Sequence, residues 1–303
     1  MYQIDLRTGS ELIPIIITAL TIFSAIAQDP TDVFLFQLQI SPDHTCHVYQ
    51  PKFLSGFNRG GYTNQPWFVS NDEILLSARM RGDTQNDIYL LSLSTKKVKQ
   101  ITRTTANEFS PRIHPDGMHL SVVRQAQSDA IDQQVFETAW PAGGDYKSIT
   151  PATKDIGYYS WMNKDELALF RLEGENNRLW FENLNDHRSR QITSSIGRTL
   201  LTDKSGAVLY VHKFNDDYWY IKKYYAATST IDIIVQTPGK TEDFAITPDG
   251  TYIMGLGEKL FSFHPVYQPS WKQIADLSIY GITHITRLTV SPDGKQLALV
   301  STK

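Results

Sequence analysis

The run Leu288-Thr289-Val290-Ser291-Pro292-Asp293-Gly294-Lys295-Gln296-Leu297-Ala298-Leu299-Val300 consists of two short apolar stretches joined by Ser-Pro-Asp-Gly. Pro sets φ near about −65°, Asp can bond back to the backbone, and Gly accepts positive φ, so the phrase suits a tight turn between antiparallel strands. It stands upstream as Thr247-Pro248-Asp249-Gly250 and as His114-Pro115-Asp116-Gly117. Weaker copies fill the gaps: Asp203-Lys204-Ser205-Gly206, Asn163-Lys164-Asp165-Glu166 and Ser70-Asn71-Asp72-Glu73. The copies end at 73, 117, 166, 206, 250 and 294, in steps of 44, 49, 40, 44 and 44 residues. A repeat of this length, built from short strands, is the pattern of a β-propeller with one small antiparallel sheet per copy.

Six copies predict six blades, yet the chain stops at Lys303, just after the second strand of the sixth. Two strand-like runs near the N-terminus, Val33 to Ile40 and Cys46 to Phe53, have no turn phrase before them. They are read as the missing outer strands. The expected fold is all-β: a six-bladed β-propeller closed by N-terminal strands that complete the last blade, leaving no sheet edge unpaired.

The formal net charge of the 303 residues is −3, which gives no general pull toward nucleic acid or an anionic membrane; neither is expected as a partner. Leu12 to Ala25 is almost wholly apolar and leads into Ala25-Ile26-Ala27-Gln28. That run is too short to cross a bilayer comfortably and has the form of a secretory signal peptide cut after Ala27. The expected division is therefore 1–27 signal peptide and 28–303 propeller, in a periplasmic or secreted protein with no membrane insertion after cleavage. Cys46 is the only cysteine, so no intramolecular disulfide can form.

Phe109-Ser110-Pro111-Arg112-Ile113-His114-Pro115-Asp116-Gly117, followed by Leu120-Ser121-Val122-Val123-Arg124, resembles the PD40 or TolB-like propeller repeat of bacterial exported proteins. The run from Leu288 to Ala298 does so too, and Asp87-Ile88-Tyr89-Leu90-Leu91 with Gln100-Ile101-Thr102 looks like the third and fourth strands of such a unit. The resemblance covers the propeller only, and TolB's additional N-terminal α/β domain is not expected here, since the residues before the propeller leave no room for one. What it implies is an exported scaffold presenting one face to a partner.

Register alone locates that face. The Pro-Asp-Gly turns mark one end of the ring, so the entrances of the inner strands and the ends of the second strands mark the other. The entrances fall near Asn64, Glu108, Tyr158, Arg198, Glu242 and Arg287; the second strands end at Arg79, Arg124, Arg171 and Lys213. Six cations and two carboxylates are thus expected to converge on one mouth. A cleft lined mainly by one sign of charge attracts the other, and Arg pairs bidentately with carboxylate and phosphate. The functional expectation is a non-catalytic binding scaffold for a protein partner or a small anionic ligand, without a cofactor. A structural ion-pair ring is the bland alternative.

The alternative from another class is a carbohydrate-active enzyme, a polysaccharide lyase or glycoside hydrolase, using the same mouth. The sequence lends it little. No Gly-x-Ser-x-Gly elbow is present, and the pairs Asp72-Glu73, Asp165-Glu166 and Asp216-Asp217 are adjacent, so in a strand their side chains would point apart. His44 and His47 flank Cys46 in metal-ligand types, but no further ligand is placed beside them and no metal is assigned.

Overall fold

A computed structural model describes residues 29–125, 132–174 and 176–302; the expected signal peptide lies outside them. Six four-stranded antiparallel sheets form the ring. The inner strands of blades 1 to 6 are Tyr62–Phe68, Asn107–Ile113, Ile156–Asn163, Ile196–Thr202, Phe244–Ile246 and His284–Val290. The second strands are Glu73–Arg79, His119–Gln125, Glu166–Arg171, Val208–Lys213, Tyr252–Leu256 and Gln296–Thr302.

Blades stack face to face, so a second strand is covered on both sides and reads as an almost unbroken apolar run. Ile74 to Ala78 and Leu297 to Ser301 are all buried. Fourth strands lie at the rim and are mostly exposed, as in Cys46–Phe53 and Thr230–Gln236.

The ring closes as the sequence predicts. Thr31–Ile40 pairs with Gln296–Thr302, with Val33 opposite Val300 and Phe36 opposite Leu297, and Cys46–Phe53 adds the outermost strand. The strand period of two splits the closing strand between two cores. Val33 and Leu35 pack with Ile74 and Leu76 of blade 1, whereas Phe36 and Leu38 pack with Ile253 and Leu260 of blade 5.

The turn chemistry also follows the sequence. The Gly294 N–H donates to the Ser291 carbonyl at 2.9 Å, and the Asp293 carboxylate accepts from the Ser291 hydroxyl at 2.6 Å and the Lys295 N–H at 3.0 Å. Gly294 has φ +74°, a region that costs an L side chain energy.

Candidate functional site

Four of the six polar residues expected at the inner-strand entrances, Tyr158, Arg198, Glu242 and Arg287, form one connected network around the channel. Arg198 donates from Nε to Asp243 Oδ1 at 3.0 Å and from Nη2 to Asp243 Oδ2, a bidentate pair. Its Nη1 lies 3.2 Å from Glu242 Oε1, and its Nη2 also donates to the Thr286 carbonyl at 3.0 Å. Arg287 reaches the same Asp243 at 3.2 Å and donates to the Tyr158 hydroxyl at 2.7 Å. Burial opposes the Arg287 charge, but Tyr158 and Asp243 beside it raise its pKa above the ordinary value. Lys213 lies 2.8 Å from Glu242, so each of these two carboxylates is shared by two cations.

The basic ends of the second strands repeat one device in three consecutive blades. Arg124 lies over Tyr146, Arg171 over Trp180 and Lys213 over Trp219, with the charge 4.9, 4.8 and 4.7 Å from the ring centre. Stacking on an aromatic face holds such a cation in place. Each also has a carboxylate: Glu108 at 3.9 Å, Glu173 at 3.4 Å and Glu242 at 2.8 Å. Arg79 ends the second strand of blade 1, where its carbonyl accepts from the Asn58 amide.

Two positions turn inward rather than toward the mouth. Asn64 is buried, its Oδ1 accepting from the Gln65 N–H at 2.8 Å. Glu108 is fully buried, with Oε1 accepting from the Thr104 hydroxyl at 2.9 Å and Oε2 without a hydrogen-bond partner. Burial pushes its carboxyl up to about 7, against the Thr102 and Thr104 hydroxyls.

The expectation of two carboxylates among the cations was incomplete, because Asp243 and Glu173 join them. Glu242 and Asp243 precede the inner strand of blade 5, which begins at Phe244. There the strand alternation has not started, so neighbouring side chains can serve one cluster. Asp243 is 4 % exposed.

The sequence reading also missed Arg112 and Trp67. The inner strands of blades 1 and 2 each carry a register break, between Asn64 and Trp67 and between Phe109 and Arg112. Each break holds an X-Pro pair whose first residue has positive φ: Gln65 at +52° before Pro66, and Ser110 at +51° before Pro111. Such a bulge re-aims the side chains that follow it. Here Arg112 comes to lie over the Trp67 ring, 4.3 Å from its centre. Burial draws the Arg112 guanidinium down to about 10, with Tyr159 opposing and Arg287 adding repulsion, so it remains charged at neutral pH.

Arg112, Arg198 and Arg287 line one cavity of about 60 Å³ in the channel, with Trp67, Ser110, Tyr158 and Tyr159. No carboxylate is among its lining residues. Toward the turns the channel widens into a second cavity of about 720 Å³, walled by Trp67, Leu201, Ile246 and Leu288.

His44, Cys46 and His47 do not assemble into one group. Cys46 is buried at the start of its strand, and His47 follows it on the opposite face. His44 instead meets Asp249 and His264. The Val266 N–H donates to His264 Nδ1 at 3.2 Å and His264 Nε2 lies 3.1 Å from the Asp249 carbonyl oxygen, so Nε2 carries the proton and this ring has no lone pair to offer a cation. The group fastens the closing hairpin to blade 5, aided by the Gln268 amide donating to the His44 carbonyl at 3.1 Å.

No helix among the described residues is long and apolar enough to cross a membrane. No family model matches the chain, and a search of curated proteins finds no match. Solved structures do match in fold. The putative TolB from Agrobacterium tumefaciens is 12% identical, with 91% of this chain and 99% of that one covered and a TM-score of 0.63. TolB from Acinetobacter baumannii is 15% identical, with 89% and 64% covered and a TM-score of 0.55. An auxiliary nutrient binding protein from Bacteroides thetaiotaomicron is 8% identical, with 89% and 76% covered and a TM-score of 0.56. The TolB-like resemblance carried by the Pro-Asp-Gly repeats therefore holds at the level of the fold: this chain is a six-bladed propeller similar to those of TolB proteins.

Proposed function

We propose that this protein is an exported, non-catalytic scaffold, periplasmic or secreted, whose channel mouth receives the acidic part of a protein partner or an anionic ligand. The observation that carries the reading is the cavity wall: three guanidiniums face it and no carboxylate does. Around it stand Lys213, Arg171 and Arg124, each stacked on an aromatic ring and so held ready for a partner. The carboxylates of the mouth, Glu173, Glu242 and Asp243, are all engaged by cations, and Glu108, whose pKa is raised, does not line the cavity. A hydrolase using this mouth would need a positioned acid or base there.

The test is capture from an envelope extract by the purified protein, compared with Arg171→Ala and Lys213→Ala. Both side chains are partly exposed, at 21% and 29%, so each substitution should spare the fold. The double variant is expected to capture the partner several-fold less well, and capture should fall as salt rises. A partner held equally by the double variant, independently of salt, would overturn the basic mouth as the site.

A further inference from the structure

We propose that the channel contains a seat for one small oxyanion, a carboxylate or a tetrahedral group such as phosphate, bound by the Arg112 guanidinium and the Ser110 hydroxyl. The inference rests on the reading of the mouth as the anion-binding end and names the chemistry at its floor.

The donors of the three channel guanidiniums are unequally committed. Arg198 spends Nε, Nη1 and Nη2 on Asp243, Glu242 and the Thr286 carbonyl. Arg287 spends Nη1 and Nη2 on Asp243, the Thr286 carbonyl and the Tyr158 hydroxyl. Among the described residues Arg112 makes one hydrogen bond, from Nη1 to the Pro111 carbonyl at 2.9 Å, and pairs with no carboxylate. A guanidinium has five N–H donors in a planar fork, so Arg112 retains unused donors beside the cavity. Its stacking on Trp67 leaves the edge of the fork available.

Ser110 supplies an independent observation. It is 2% exposed, it lines the same cavity, and its hydroxyl has no hydrogen-bond partner among the described residues. A buried hydroxyl without a partner is costly. Its backbone has φ +51°, a conformation that strains a serine and that glycine would adopt freely. The strand therefore carries two local costs at a residue that lines the cavity. An anion bridging Ser110 and Arg112 offsets the first of them.

Size narrows the ligand. One water needs roughly 10–15 Å³ of such space. A cavity of about 60 Å³ therefore takes a group of a few heavy atoms, such as an oxyanion or the tip of an acidic side chain, and not a sugar ring.

The experiment is thermal unfolding of the purified full chain titrated with sodium phosphate or sodium acetate against sodium chloride at matched ionic strength. The variants are Arg112→Gln, Arg112→Lys, Ser110→Gly and, as an exposed-surface control, Arg188→Gln. Phosphate or acetate should raise the melting temperature of the wild type and of Arg188→Gln beyond chloride. A response to phosphate alone assigns the seat to tetrahedral oxyanions, and a response to acetate alone to carboxylates. In Arg112→Gln the apparent affinity should fall roughly tenfold or more, the scale of one lost charge-assisted contact. Ser110→Gly should melt higher than wild type without anion and yet bind it more weakly, a combination that a purely structural serine would not produce. If Arg112→Gln does not fold, Arg112→Lys keeps the charge but loses the fork and should still weaken binding. A wild type indifferent to both anions, or full binding in Arg112→Gln and Ser110→Gly, overturns the seat. Neither result touches the partner capture by Arg171 and Lys213, which stands or falls on its own assay.

Discussion

Asp243 is the residue on which the mouth network depends. It holds Arg198 and Arg287 together, from blades 4 and 6, while it stands at the start of blade 5. Removing it strands two half-buried guanidiniums, and breaking a buried pair in this way typically costs about 3 kcal/mol or more. Asp243→Ala should lower the denaturant midpoint accordingly, whereas Lys213→Ala, at a partly exposed amine, should shift it by about 1 kcal/mol or less. Equal midpoints for the two variants would contradict this ranking. Glu108 offers the opposite case, with a sign set by pH. Its folded-state pKa is raised to about 7 from 4.5, so its contribution to stability is fully present below about pH 4.5 and declines as pH rises toward 7. The loss is on the order of 3 kcal/mol. Glu108→Gln should therefore match the wild type near about pH 4.5 and exceed it near about pH 8, measured as the difference in urea midpoints; a variant less stable than wild type at the higher pH would refute the account. Of these residues, Glu108, Glu242, Arg198 and Arg287 were legible from strand register. Asp243 was not: it follows Glu242 directly, so strand alternation would put it on the opposite face, but both residues precede the strand and serve one cluster.

At the scale of elements, the closing hairpin and the inner-strand bulges matter most. Thr31–Ile40 supplies apolar side chains to two cores at once, so it is not a separable arm. Deleting residues 29–53 should abolish cooperative unfolding rather than trim the protein, because the second strand of the last blade would lose one of its two partners and two interblade cores would open. A truncated chain with an unchanged melting transition would refute closure by this hairpin as the source of stability. A second element-level prediction concerns Gly197, just before Arg198. A Cβ there would lie 2.7 Å from Glu242 Cβ, so the carboxylate could no longer lie against the strand. Gly197→Ala should cost about 1–3 kcal/mol of overpacking and should release Lys213, seen as greater reactivity of that amine toward an acylating reagent. The two X-Pro bulges were visible as letters, Gln65-Pro66 and Ser110-Pro111, since Pro inside a strand marks an irregularity. Their consequence, that Trp67 and Arg112 meet in the channel, required the backbone path.

At the scale of the whole molecule, the ring converts a linear repeat into a radial one. Residues 198 and 286 become neighbours because successive inner strands circle one axis, and residues 44 and 264 do so because the N-terminal hairpin closes the ring beside blade 5. A mouth built this way focuses the field of charges that are far apart in sequence, and so a partner bound there should associate more slowly as ionic strength rises. Stopped-flow association with the captured partner should show this slope for wild type and a shallower one when Arg171 and Lys213 are both Ala. An equal slope would place the partner elsewhere on the ring.

The sequence by itself determined the number of blades, the turn between the first two strands of each blade and the manner of closure, because these rest on local chemistry: the turn phrase and the apolar runs on either side of it. It also determined which strand ends share a face, because strand direction reverses at each turn. What only the tertiary structure decided is which charges cancel. Register can say that Arg198, Glu242 and Arg287 share a mouth, but pairing depends on distances of an ångström or so across three blades. Those distances are set by a glycine at 197, a loop that delays the strand until Phe244, and bulges that turn Arg112 inward. The result is a network in which Arg198 and Arg287 are satisfied and Arg112 is left facing the cavity.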